Sequence, residues 1–272
     1  MVTRRWSPCR RNCLLPYKVL SIRLPHVVSE RATCTACTAV APLLRHRWCN
    51  SGKGRELRAE NSTAYKGRVL ASIAAILLLA FALRLYRLGY QSIWYDEGVS
   101  IHLAQKSLAA LTAHTAGDIH PPLYYYLLHF WIKAAGSSEF AVAFFSLTFG
   151  FLLVPLVYCI GRHLYNPTVG SLAALLVAIS PYNLWYSQEM RMYTLGASLG
   201  LVSLYSLLQL LVRAKGRVYW VGYILSAALG LYTLYYFAFL LVFLNLFVLG
   251  WWLWVRRRGG GVLVLWSWVL AQ

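Results

Sequence analysis

Among the apolar stretches of this 272-residue chain, acidic residues are rare. After residue 68 there are five: Asp96, Glu97, Asp118, Glu139 and Glu189. Two stand side by side in Trp94-Tyr95-Asp96-Glu97-Gly98, directly after the first long apolar run. Downstream, Gly117-Asp118-Ile119-His120-Pro121-Pro122 carries an imidazole, and Tyr186-Ser187-Gln188-Glu189-Met190-Arg191-Met192-Tyr193 carries a carboxylate and a guanidinium. Carboxylate and imidazole are the side chains that move protons, and guanidinium is the one that holds anions. Each has a plainer reading. The Asp-Glu pair is solvated in a loop, His120 caps a helix, and Glu189 and Arg191 pair locally near a helix end. What favours a site is that all three pieces fall on one face of a membrane, beside an aromatic surface. Spacing alone names no reaction.

The membrane follows from composition. Apolar residues make up 59% of the chain, aromatic residues 15% and charged residues only 12%. That balance belongs to a polytopic membrane protein. The formal charge of +18 first suggests nucleic acid as a partner. Residues 1–68 hold 14 basic and 3 acidic side chains, and the rest of the chain 12 and 5. In that second part the cations sit in short clusters between apolar runs. Topology explains such clusters, so no nucleic-acid partner is expected.

The first run, Val69–Leu83, crosses a bilayer when its flanks are included, since crossing takes about 20 helical residues. Arg84 and Arg87 at its far end are expected to snorkel. Further runs follow at Phe140–Ile160, Val169–Tyr186, Tyr193–Val212, Val218–Leu231 and Leu234–Val255. Val262–Leu270 is a seventh apolar piece. Its nine residues reach only about 13 Å as a helix, too short to cross alone. With the basic N-terminal part inside, six crossings put Arg162, the Arg213/Lys215/Arg217 group and Arg256–Arg258 inside as well. The same parity puts residues 89–139, 187–192 and the Tyr232–Tyr236 turn outside. Pro121–Ala135 is apolar but short, and a crossing there would flip every later cluster. It is expected to lie as a helix in the outer interface, with Pro121 and Pro122 in its first turn. Val99, Leu103, Leu108 and Leu111 form a looser helical stripe before it. The predicted fold is all-α: about six transmembrane helices, a truncated seventh, and interfacial helices in the first external loop.

Residues 1–67 read as a separate basic, disordered segment, and residues 68–272 as the transmembrane domain. The segment holds Cys9, Cys13, Cys34, Cys37 and Cys49 among many arginines. Cys34-x-x-Cys37 lacks the second ligand pair of a closed zinc site. An Arg-rich, acid-poor composition also fits an organellar transit peptide. A tail that buries no core is the reading preferred here.

Residues 84–193 resemble the start of a GT-C glycosyltransferase. The family in question includes the dolichyl-phosphate-mannose–protein mannosyltransferases and the lipid A aminoarabinose transferases. The matching pieces are Arg84-Leu-Tyr-Arg-Leu-Gly89, Trp94-Tyr-Asp-Glu97, His120-Pro-Pro-Leu-Tyr-Tyr125, Gly136-Ser-Ser-Glu-Phe140, Ser180-Pro-Tyr182 and Tyr186-Ser-Gln-Glu-Met-Arg-Met-Tyr193. The likeness covers roughly residues 68–255, without the N-terminal segment. Two features depart from it. An Arg usual a few residues after the Ser-Glu pair is replaced near Ala143, and family members are longer, so this chain reads as C-terminally truncated.

The resemblance implies sugar transfer from a polyprenyl-phosphate donor to an acceptor hydroxyl outside the cytoplasm. The acceptor would be a lipid, a glycan or a protein, in a multi-pass protein taken to sit in a bacterial cell membrane among its lipids. Asp96 would be the general base. Glu97 would orient the acceptor or, with Asp96, hold a divalent cation. Arg191 and His120 would meet the donor phosphate, Arg191 through its bidentate fork, with Glu189 holding Arg191 in place. Tyr124, Tyr125 and Tyr193 would line the substrate path; for the aromatic helix, interface anchoring is the other reading. A multipass transporter or channel component is the rival function. It predicts charges inside several crossings and broken helices near the midplane, whereas the acids here avoid the middle of every run.

Overall fold

The computed structural model describes residues 52–213 and 216–257. Cys9 to Cys49, Lys215, Arg258 and the 262–270 piece lie outside the described residues. Among the described residues the regular structure is helical throughout, in ten helices: α1 (Gly52–Leu85), α2 (Tyr95–Gln105), α3 (Leu108–Ala116), α4 (Leu123–Ala135), α5 (Glu139–Leu164), α6 (Pro167–Ile179), α7 (Pro181–Gln188), α8 (Tyr193–Arg213), α9 (Arg217–Leu231) and α10 (Phe237–Arg257).

Four of these contain segments long and apolar enough to cross a membrane: Ala64–Leu85, Glu139–Leu164, Tyr193–Leu211 and Phe237–Trp254. The chain is an all-α, multi-pass membrane protein. The expected helix over 169–186 is a bent pair instead. α6 and α7 meet at 58° and make a fifth crossing if counted together. The sequence dictates the bend. Proline disfavours helical geometry at the residue before it, and Ser180 is extended (φ −62°, ψ 118°). Its hydroxyl then accepts from Asn183 N–H and caps the new helix. α9, at 15 residues, falls short of the roughly 20 that a full crossing needs.

Local chemistry sets the other ends. Ser138 caps α5 by accepting from Ala141 N–H; Glu139 stands in its first turn, with Arg162 and His163 in its last. Acid at the N-terminus and base at the C-terminus both suit the helix dipole. Asn166 caps α6 ahead of Pro167, a residue already shaped for a first helical turn. α5 packs along α6 and α8, α8 along α9, and α1 along α6. Small residues let these axes approach. A Cβ on Gly161 would stand 2.9 Å from the Cα of Gly170, so α5 and α6 touch backbone to backbone there.

The short helices gather at one end of the bundle. The expected stripe over 99–111 is two helices, separated where Ser107 caps α3 through Ala110 N–H. Leu103, Leu111, Tyr124, Tyr125 and Leu128 are buried with Val142 and Met192 in one core cluster. α4 begins at Leu123, one residue after the expected prolines. Leu123 N–H donates to Tyr232 O in the α9–α10 turn, tying that turn to the same end.

Candidate active site

Glu97 is the hinge pin of this end. It is the third residue of α2 and only 7% exposed. One carboxylate oxygen accepts from its own helix's N-cap, Trp94 N–H, at 3.1 Å. The other accepts from Met190 N–H at 2.9 Å, across 93 residues of chain. Each oxygen thus accepts from a backbone N–H, and the α7–α8 junction is pinned to the start of α2.

That pin brings Arg191 to Asp96. Nη1 of Arg191 donates to Asp96 O at 3.2 Å, and Nη2 lies 3.8 Å from the Asp96 carboxylate. The partners differ sharply in exposure: the Asp96 side chain is 65% exposed and that of Arg191 7%. Nε of Arg191 is buried with no hydrogen-bond partner. Its guanidinium carbon lies 5.8 Å from the Tyr193 ring centroid. A buried cation with a donor to spare, beside an open carboxylate, suits an anionic group next to a hydroxyl that must lose its proton.

His120 is half-buried and 3.9 Å from Asp118. Burial, and then the Arg191 charge, hold its pKa below the usual histidine value, against the opposing pull of Asp118 and Asp96. Near neutral pH it is a neutral imidazole, able to donate a hydrogen bond but bringing no charge. Burial also raises the Glu189 carboxyl, with Glu97 adding to the shift and Arg191 partly offsetting it. The carboxylate within 4 Å of Arg191 is Asp96; among the described residues Glu189 forms no such ion pair. Tyr124 and Tyr125 are almost wholly buried, ring edge to face, behind the site. Burial pushes the Tyr125 hydroxyl up to about 12, so it stays protonated. Tyr193, 38% exposed, is the one of the three expected path tyrosines open to solvent.

A divalent cation at Asp96 and Glu97 would draw on these two carboxylates alone among the described acidic, histidine and cysteine side chains. Among the described residues no three His, Cys, Asp or Glu side chains converge on one point. Of the two, Asp96 is open and Glu97 is buried, with a backbone N–H on each of its oxygens.

Residues with no expected role at the site hold its α7 side. Arg84, expected to snorkel, has no exposed surface. It turns inward because α6 and α7 offer it a ring of acceptors: Val177 O, Ala178 O, Asn183 Oδ1 and Ser187 Oγ. Gln188 donates back to Arg84 O and Tyr86 O, both at 2.9 Å. A Cβ on Gly150 would fall 2.1 Å from Ser187 Oγ, so only glycine leaves room for α7 against α5. The sequence signal was an arginine ahead of the Asp-Glu pair, inside the C-terminal end of a crossing, where a charge needs a reason.

Glu97→Gln should accordingly behave as a structural variant. An amide presents one oxygen and one N–H₂ to two backbone donors, so one donor is left facing a donor. The expected loss is about 1–3 kcal/mol of stability, read by thermal unfolding in detergent. An unchanged unfolding midpoint would show that the pin does not hold the junction.

A family model described as Dolichyl-phosphate-mannose-protein mannosyltransferase matches residues 119–271. The match takes in His120, Glu189 and Arg191 and begins after Asp96 and Glu97. No curated protein and no solved structure matches the chain.

Proposed function

The chain belongs to the dolichyl-phosphate-mannose-protein mannosyltransferase family and is a membrane glycosyltransferase; we propose that it moves a sugar from a polyprenyl phosphate to an acceptor hydroxyl on the extracytoplasmic side. The observation that carries this reading is the open Asp96 carboxylate set 3.8 Å from the buried Arg191 guanidinium. Nucleotide sugars stay in the cytoplasm, so an external site needs a donor delivered by the membrane.

Asp96 takes the proton from the acceptor hydroxyl as that oxygen attacks the anomeric carbon. The bond from that carbon to the phosphate oxygen breaks, and the lipid phosphate leaves with the electron pair. Arg191 meets the charge that grows on the leaving phosphate, and neutral His120 donates a hydrogen bond to it. Glu189 adds a second acid to the field around Arg191. Tyr193 borders the open side, with Tyr124 and Tyr125 as the wall behind. Glu97 holds the loops in register. Acceptors of this kind are hydroxyls of lipids, glycans or proteins. In this reading residues 68–272 form the transferase domain, and the basic segment 1–67 lies outside it.

Sealed membrane vesicles of known orientation test the proposal. A cysteine at position 110 should be labelled from the same face that consumes a polyprenyl-phosphate hexose or pentose and releases polyprenyl phosphate. That face should be the extracytoplasmic one. Labelling of residue 110 from the cytoplasmic face, or no consumption of any such donor by inserted protein, would overturn it.

A further inference from the structure

We infer that Arg84 is a positioning residue, fixing the α7–α8 junction from which Met190 and Arg191 reach Glu97 and Asp96. The kinetic part of this inference rests on the function proposed above; the geometric part does not.

Pro181 creates the need. In a continuous helix the carbonyl of Val177 would accept from residue 181, but proline has no N–H. The bend leaves Val177 O and Ala178 O at the break, and Arg84 donates to each at 3.4 Å. The same guanidinium donates to Ser187 Oγ at 3.2 Å and to Asn183 Oδ1, both on α7. Its remaining bond goes to Ala80 O on its own helix. One planar fork thus holds the end of α6 and the inner side of α7 together. Gln188, the last residue of α7, closes the clasp by donating to Arg84 O in the last turn of α1 and to Tyr86 O just past its end, where a helix terminus leaves carbonyls without helical partners. Met190 N–H, bonded to Glu97, is two residues further on.

The charge itself is not what the site needs from Arg84. Among the described residues the ion pairs are His120–Asp118 and Arg191–Asp96, so Arg84 is buried with only neutral acceptors. A buried cation without a counter-anion is expensive in a membrane. What guanidinium supplies is five donors in a fixed plane, enough to serve two helices at once. Lysine keeps the charge but carries its donors on a single atom.

Arg84→Lys therefore separates fork from charge. The measurement is hydrogen exchange, read by mass spectrometry on the whole chain in lipid nanodiscs. Amides 188–192 should exchange about ten- to a hundredfold faster than in the wild type, with Glu139–Leu164 and Tyr193–Leu211 unchanged. Asn183→Ala cuts the clasp from the other partner and should loosen the same amides. The double variant should add little to the stronger single, because both remove one network. In the transfer assay Arg84→Lys should lower kcat more than it raises KM, since the groups that touch substrate remain. Wild-type exchange at 188–192 in both single variants would overturn the inference, as would a rise spread evenly over all helices. If those amides loosen and even the wild type transfers no sugar, the proposed function falls and the positioning role stands.

Discussion

Asp96→Asn is expected to slow sugar transfer by about two to four orders of magnitude, the usual worth of a general base, while donor binding changes little. Asparagine has the shape of aspartate but no basic oxygen for the acceptor proton. The fold should not notice. Asp96 is mostly exposed, and an ion pair with so open a partner adds little to stability. Arg191 also keeps its hydrogen bond to Asp96 O, a backbone atom that the substitution leaves in place. The loss should therefore fall on kcat, with the variant inserted and as stable as the wild type. The assay is single-turnover release of polyprenyl phosphate beside equilibrium binding of the donor lipid. Near-normal turnover would remove Asp96 as the base. Glu97 is the poorer substitute, being only 7% exposed and already accepting a backbone N–H from Trp94 and from Met190 on its two oxygens.

Much of this could be read from the chain because the signals were local. An Asp-Glu pair among five acids in some 200 residues stands out, and so does a Glu-x-Arg between two apolar runs. Parity of the crossings put both at one membrane face, and the observed bundle brings Asp96 and Arg191 within 3.8 Å of each other. What escaped depended on partners far away in sequence. Arg84 at a helix end looks like any snorkelling arginine until α6 and α7 supply four acceptors 93 to 103 residues later. Asp96 and Glu97 are neighbours with equal chemistry, and only their environments assign them different work. Glu97 faces inward from the first turn of α2, where a backbone N–H of the distant junction meets it; Asp96 faces out. The break in the third run was legible as Pro181. Its consequence was not, since the freed carbonyls gain meaning only beside the α1 arginine.

Arg191→Ala should show a different signature from Asp96→Asn, weakening both donor binding and turnover. The lost group meets phosphate charge in the ground state and meets more of it as the leaving group develops. Removing one well-placed donor to a developing oxyanion typically costs about 10²–10³ in rate. The effect should reach that range because this guanidinium is nearly buried, so water does not screen it, and because its Nε is still without a partner. Part of the loss would be local. Asp96 would forfeit its counter-charge, and the Tyr193 ring its cation. Arg191→Lys isolates that part, since it restores the charge but not the fork. If phosphate is held bidentately, lysine should recover a minor share of donor binding. Were it to recover most of it, a simple point charge would suffice there. Should Arg191→Ala bind donor normally while turnover alone falls, Arg191 would act only on the transition state, and the ground-state phosphate would have to be held by His120 or by backbone N–H groups instead.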